Sequence, residues 1–138
     1  MTTTPTLRKP ARGASQHVQT RMRSSAPLEL VVLLSDAALQ SAATAREAMV
    51  KRDIRTRRAA LSRMLAIIAE LQKTLDIEKG GRIARDLDRL YAWVTSRLID
   101  ATVQQTVRPI DDAVRVLEPL RDAWQSVAAG SRSAGSGV

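Results

Sequence analysis

The chain contains a single Gly-Gly pair, Gly80-Gly81, and no other feature constrains its fold as strongly. The pair lies in the stretch Leu75–Ala84, between two segments whose apolar residues recur with the period of an amphipathic helix. Glycine has no Cβ, so it adopts positive φ and lets backbones approach closely at little steric cost. The stretch therefore predicts a tight turn between two antiparallel helices. We expect Asp76 and Glu78 to cap the helix that follows the turn, or to hold the turn itself.

Four segments have the apolar spacing of helices, and none has the convincing alternation of a β-strand. Pro27 and Pro109 suit the first position of a helix because their φ is fixed, and Asp53 is the expected N-cap of the second helix. The predicted helices span residues 27–51, 53–75, 82–104 and 109–127. Amphipathic helices with short loops pack most simply as an antiparallel up-down bundle, so we predict an all-α, four-helix bundle over residues 27–127.

The two ends of the chain lack an apolar stripe and are rich in Ser, Thr, Pro or Gly. Such segments cannot bury enough surface to offset the entropy lost on ordering. We therefore expect a flexible basic arm at residues 1–26 and a flexible tail at residues 128–138. No run approaches the roughly 20 apolar residues of a membrane span, and the arm lacks a secretory signal, so we expect a cytoplasmic protein without membrane insertion.

The side chains that carry most enzyme chemistry are scarce. The chain has no cysteine, and its one histidine, His17, lies in the predicted arm. No phosphate-binding glycine loop and no Glu-x-x-His pair is present. The pairs Asp86/Asp88 and Asp111/Asp112 fall in the first turns of predicted helices, where the helix dipole accounts for them. We therefore predict no catalytic residue, no metal site and no cofactor, and we do not expect an enzyme.

Positive charge is concentrated in two places. The net charge is +8, and all fourteen acids lie between Glu29 and Asp122. The predicted arm is basic, and a second excess of arginine and lysine runs from Arg46 to Arg63. A solvated helix face explains this run, and a basic nucleic-acid-binding module is the alternative. No aromatic residue is interleaved with these arginines, which argues against nucleic acid as the partner.

Three stretches resemble the flagellar export chaperone family FliS. Residues 24–39 are similar to the Ser-Pro-x-Glu-Leu-Val opening of the family, and residues 117–124 to its closing Leu-Arg-x-Ala-Trp segment. The stretch Leu75–Ala84 matches the more specific Leu-Asp-x-Glu-x-Gly-Gly-x-Ile-Ala pattern. The chain departs from the family at Ser35, where Tyr is usual, and at Arg52, where Gly is usual.

The resemblance implies an antiparallel helical bundle that binds the C-terminal segment of flagellin. Such a chaperone keeps the disordered segment from polymerising prematurely and keeps it competent for type III export. The segment is expected to form short helices in apolar grooves on the outside of the bundle. Flagellar export gate components are further partners, an export-apparatus adaptor is an alternative role, and the oligomeric state is left between monomer and weak homodimer.

Apolar side chains that the bundle core does not use are the candidates for contact with such a partner. Helical wheels place them off the main apolar stripe or, for Tyr91, at its edge. The predicted partner-binding residues are Leu30, Leu33, Ile67, Tyr91, Trp93, Ile99 and Val116. The predicted residues of the structural turn are Asp76, Gly80 and Gly81.

Overall fold

The computed structural model describes the backbone of residues 26–136 and the side chains of residues 28–131. This part of the chain forms four helices: α1 Ala26–Val50, α2 Ile54–Lys73, α3 Ile77–Gln104 and α4 Arg108–Ser136. Apart from Ala26, the predicted basic arm lies outside the described residues. The prediction of an all-α four-helix bundle is confirmed.

The helices form a closed square of neighbours. α1 packs against α2 and α4, and α3 packs against the same two helices. Connections of a few residues join successive helices, so neighbours run antiparallel. The α1/α2 interface is the most extensive of the four.

Small residues explain the close packing of α1. Its buried face carries alanines at 38, 42, 45 and 48. The other three helices supply the bulky core side chains, among them Met64, Ile68, Leu98 and Leu117. Small residues allow a close approach of two helices, and large residues opposite them fill the remaining space at the density of a protein interior.

α4 extends beyond the predicted boundary at residue 127. The flexible tail expected at 128–138 is wrong for the residues up to Ser136, because these residues continue the helix. Ala128 is buried, and Ala129 is also a strong helix former. Their contribution outweighs Gly130, which costs about 1 kcal/mol relative to alanine in a helix interior.

The α2–α3 turn uses its two glycines differently. Asp76 is the N-cap of α3, with its carboxylate accepting a hydrogen bond from the Lys79 backbone N–H at 3.1 Å. One helical turn follows, and Gly81 then breaks the helical dihedrals with φ 56° and ψ −130°. A Cβ on Gly80 would lie 2.7 Å from the Cβ of Ala84. Gly81 therefore supplies the positive φ, and Gly80 supplies the close approach.

The α1–α2 turn is held by hydrogen bonds around a non-glycine residue of positive φ. Arg52 has φ 60°, and its N–H donates to the Met49 carbonyl at 3.2 Å while the Asp53 N–H donates to the Ala48 carbonyl at 2.8 Å. These two bonds form the Schellman arrangement at the end of α1. The predicted N-cap is confirmed, because Asp53 accepts from the Thr56 N–H at 3.1 Å.

α1 is long and apolar enough, by length and composition, to cross a membrane over Leu28–Val50. The expectation that no stretch approaches such a length is therefore wrong for this helix. α1 nevertheless packs against two other helices and contributes Val31, Ala38 and Ala42 to the bundle core. A core helix of a helical bundle passes the same test, so this stretch does not indicate a membrane span.

Candidate partner-binding surface

Most carboxylates of the described residues are occupied by contacts within the bundle. Asp111 pairs with Arg46 at 2.9 Å, which joins α4 to α1. Asp112 pairs with Arg97 at 3.3 Å, which joins α4 to α3. No group of three or more His, Asp or Glu side chains in the described residues could hold a metal ion. Asp111 and Asp112 therefore link α4 to its two neighbouring helices.

Arg97 and a second interhelical arginine, Arg121, also bond to carboxylates of their own helices. Hydrogen bonding to Asp100, more than to Asp112, raises the pKa of the Arg97 guanidinium above its ordinary value. Hydrogen bonds from Arg121 to Asp36 and Asp122 raise the pKa of Arg121 in the same way. The Arg121–Asp36 bond, at 2.6 Å, joins α4 to α1 a second time.

Three of the seven predicted partner-binding side chains are exposed. Leu33 is 66% exposed, Ile99 50% and Trp93 43%. Leu30 and Val116 are half-buried. These five side chains remain accessible, wholly or in part, to a binding partner.

The other two predicted residues belong to the core, and their assignment as accessible apolar side chains is wrong. Ile67 is only 8% exposed because α2 lies between α1 and α3, so its buried face is wider than a single stripe. Tyr91 is 1% exposed. Burial raises the pKa of its hydroxyl, and the Trp124 indole N–H acts in the opposite direction without reaching hydrogen-bond geometry.

Leu33 lies on the outer groove between α1 and α2. Gln40 of α1 and Ala60 of α2 line a common pocket, which sets the register of these antiparallel helices. Two turns from that pocket, in the same direction, α1 reaches Leu33 and α2 reaches Ile67. Leu30 follows one turn further along α1, so this groove presents one exposed and one half-buried leucine above a buried isoleucine.

Ile99 lies on the outer groove between α2 and α3. The Gln72 amide donates to the Asp88 carboxylate at 3.0 Å, which sets the register of this pair. Three turns along, Ile99 is level with the middle of α2, and Val103 follows on the same face of α3. Val103 and Ile54 are both exposed, so the groove continues as apolar surface to the end of the bundle.

Trp93 lies on the outer groove between α3 and α4. The contact between Arg97 and Asp112 sets the register, and one turn in the same direction leads to Trp93 on α3 and Val116 on α4. An exposed aromatic ring and a half-buried valine therefore face the same groove.

Several exposed apolar residues were not predicted as partner contacts. Ile54, Ile83 and Val127 are all exposed. Ile54 begins α2, Ile83 follows the break at Gly81, and Val127 lies in the second half of α4. Val103 was overlooked, although its position one turn after Ile99 places both on one face of α3. That spacing is the signal by which the sequence could have identified it.

Comparison with known sequences identifies the family. The sequence model of the family described as Flagellar protein FliS matches residues 10–131 of the chain. The chain belongs to the FliS family. FliS proteins are flagellar secretion chaperones, so this member is not an enzyme.

Individual FliS relatives are similar over most of their length. The flagellar secretion chaperone FliS of Salmonella typhimurium is 30% identical over 115 residues, which cover 83% of this chain and 85% of the relative. That of Campylobacter jejuni is 34% identical over 101 residues, or 73% and 79% of the two chains. The chaperone FliSB of Pseudomonas aeruginosa is 28% identical over 110 residues, or 80% and 87%.

The structure shows where two departures from the FliS pattern lie. Arg52 replaces the usual Gly at the position with φ 60°, where glycine would fit without strain. Ser35 replaces the usual Tyr and is buried in α1. Both positions lie inside the bundle or in its turn, so neither departure removes an apolar side chain from the outer grooves.

This FliS chain also has a basic surface, which we define as Arg52, Arg55, Arg58 and Arg63. All four are exposed, and none forms an ion pair with a residue that the structure describes. The neighbouring cations Arg46 and Lys51 pair with Asp111 and Glu47. The first half of α2 therefore carries an uncompensated positive charge.

Proposed function

We propose that this chain binds the disordered C-terminal segment of flagellin in the cytoplasm. Binding would prevent premature polymerisation of flagellin and keep it competent for type III export. The observation that carries this proposal is the distribution of exposed apolar side chains over three outer grooves of one bundle: Leu33, Ile99 and Trp93. Membership of a secretion chaperone family supports the same role.

The arrangement suits a long, flexible partner better than a globular one. A globular protein contacts one face, whereas anchors in separate grooves require a segment that wraps around the bundle. Such a segment forms amphipathic helices whose apolar faces enter the grooves. Ordering the segment costs about 2–5 kcal/mol or more of the interaction energy, and several separated anchors together offset this cost.

The bundle performs this function by occupation and without chemistry. A core of fully buried side chains, among them Met64, Ile68 and Leu98, holds the helices in register, and the ion pairs Arg46–Asp111 and Arg97–Asp112 add to it. The grooves therefore exist before the partner binds, so only the partner has to order. Preorganisation of one side raises affinity because it removes part of the entropy cost of association.

Binding of a purified flagellin C-terminal peptide to the full chain tests the proposal. Trp93→Asp or Ile99→Asp should weaken binding about 30-fold, the effect of losing one hot-spot side chain. Ser96→Asp is the matched control because Ser96 is an exposed residue of α3 between the two grooves. This variant should bind nearly as well as the wild type.

Circular dichroism and thermal melting of the same variants distinguish loss of binding from loss of fold. Near-normal melting with weakened binding supports the grooves as the contact surface, whereas unfolding would assign these side chains to the core. A gel shift with duplex DNA at low and moderate salt completes the test. Strong, salt-sensitive DNA binding without peptide binding would replace the chaperone role with the nucleic-acid alternative.

A further inference from the structure

A polar pocket opens between α1 and α2, beside the apolar groove of Leu33. Its volume is about 400 Å³. α1 contributes Gln40, Ser41 and Thr44 to the lining, and α2 contributes Thr56, Arg63 and two alanines. The lining therefore contains four neutral hydrogen-bonding side chains, one cation and no acid. The flagellin-binding role proposed above, which rests on apolar anchors, does not account for these polar groups.

The donors of this pocket that have no partner point to an anionic ligand. The hydroxyls of Thr44 and Thr56 already donate, to the Gln40 carbonyl at 3.2 Å and to Asp53 at 2.7 Å. Ser41 is 95% buried, at 5% exposure, and its hydroxyl makes no hydrogen bond within the described part of the chain. The Gln40 amide and the Arg63 guanidinium are likewise without a partner there. Gln40 and Arg63 are exposed, so water satisfies their donors in the free chain, and an acceptor that enters the pocket would replace that water.

The charge around the pocket is positive, which also favours an anionic ligand. Arg63 belongs to the basic surface, whose arginines have no ion pair with described residues. Asp53 contacts the lining, and its carboxylate accepts hydrogen bonds from the backbone N–H and the hydroxyl of Thr56. Asp36 and Glu47, each one turn from a lining residue of α1, pair with Arg121 and Lys51. A cationic or neutral apolar group would leave the donors unsatisfied, whereas a carboxylate would satisfy them and gain from the positive field.

We propose that this pocket binds a carboxylate of the flagellin segment, with Arg63 as its counter-ion and Ser41 and Gln40 as additional donors. The inference rests on the function proposed above and adds the chemistry of one contact. A guanidinium matches a carboxylate through two parallel hydrogen bonds. The two alanines leave room for the rest of the residue that carries the carboxylate.

The position of the pocket relative to the apolar groove supports this assignment. Leu33 lies two turns from the pocket along α1, which is about 11 Å along the helix axis. A helical segment in the outer α1/α2 groove therefore spans both sites with residues two turns apart. The carboxylate comes either from the C-terminus of the segment or from an Asp or Glu side chain within it.

Modified flagellin peptides and an Arg63 variant separate these sources. The peptides are the free acid, the C-terminal amide, and versions with each Asp or Glu replaced by Asn or Gln. Each is titrated by calorimetry against the wild-type chain and against Arg63→Gln, with Arg85→Gln as a control for an exposed arginine outside the pocket. Removal of the bound carboxylate should weaken binding to the wild type about tenfold and leave binding to Arg63→Gln almost unchanged.

Each outcome decides the proposal. If amidation of the C-terminus weakens binding to the wild type but not to Arg63→Gln, the bound group is the terminal carboxylate. If the replacement of one Asp or Glu gives this pattern instead, the bound group is that side chain. If Arg63→Gln lowers the affinity of every peptide by the same factor, while the wild type still binds them, the carboxylate site is wrong but the chaperone role stands. Absence of binding by every peptide to the wild type overturns the flagellin-binding function and this inference with it.

Discussion

The α2–α3 turn has glycine at its position of positive φ, whereas the other two turns have larger residues there. Gly81 has φ 56°, Arg52 in the α1–α2 turn has φ 60°, and Gln105 in the α3–α4 turn has φ 58°. Glycine adopts this region freely, while an L-residue with a Cβ loses about 1–2 kcal/mol. All three positions therefore require positive φ, but ψ −130° places Gly81 outside the αL well in which Gln105 lies, with ψ 39°.

Hydrogen bonding explains how the two costly turns persist. The Gln105 N–H donates to the Ala101 carbonyl at 3.0 Å and closes α3. At the end of α1, two such bonds surround Arg52, and Asp53 begins α2 immediately afterwards. These contacts satisfy carbonyls that a helix end otherwise leaves without partners. A glycine therefore reveals a turn in the sequence, whereas the turns at Arg52 and Gln105 are recognisable only from the backbone hydrogen bonds of the folded chain.

Gly81→Ala is the strongest test of this comparison. With φ 56° and ψ −130°, Gly81 occupies a region that alanine reaches only with strain, although no atom lies within 4 Å of the added Cβ. We expect a loss of about 2–3 kcal/mol in the free energy of unfolding. Urea unfolding monitored by circular dichroism measures it.

Gly130→Ala is the matched control for that experiment. Gly130 lies in α4, and the space around its added Cβ is also open. Because its backbone is helical, alanine should stabilise the fold by up to about 1 kcal/mol. A loss of stability in both variants would show that the sign does not depend on φ.

Gly80→Ala tests the second reason for a glycine in the same turn. The added Cβ would lie 2.7 Å from the Cβ of Ala84, so a shift of the turn is required. We expect a loss of about 1–2 kcal/mol, the range of mild overpacking. Gly80→Ala combined with Ala84→Gly should recover part of this loss, and a purely additive double variant would argue against the clash.

The turns also show what the sequence could predict. Periodicity predicts four helices because one apolar face must be buried, and Gly80-Gly81 predicts the position of one turn. The left-handed Arg52 and Gln105 carry no such signal, because their conformation follows from the packing of the helices that they join.

The candidate surface likewise contains residues that local sequence places correctly and residues whose position depends on helix packing. Trp93 and Ile99 stand off the apolar stripe in sequence and are exposed in the structure, so local spacing was sufficient to place them. Ile67 was misplaced because burial depends on the number of neighbouring helices, which a wheel does not contain. The pocket of Ser41 and Arg63 was not predicted, since it depends on the register between α1 and α2.

Arg52→Gly and Gln105→Gly should convert the two strained turns into the glycine type. Each replacement removes the Cβ at positive φ but increases the entropy of the unfolded chain, so we expect a net gain of about 0.5–1 kcal/mol. Chemical denaturation of the single and double variants measures it. The sites lie in different turns, so the gains should add, and destabilisation by either change would mean that its side chain contributes more than its backbone costs.

Asp53→Asn tests the cap beside Arg52 and has the smallest expected effect. Hydrogen bonds from the Thr56 hydroxyl and N–H lower the pKa of Asp53 below its ordinary value of 3.8. Its ionised form therefore stabilises the fold above that value, and the contribution disappears as the pH falls through the lowered pKa. Asparagine also caps helices, so stability at pH 7 should change little, while the loss of stability below about pH 4 should become shallower.

Thr56→Val should flatten the same acid limb, because it removes the donor that contributes most to the shift in the pKa of Asp53. An acid limb identical to that of the wild type in both variants would place the acid sensitivity of the fold elsewhere.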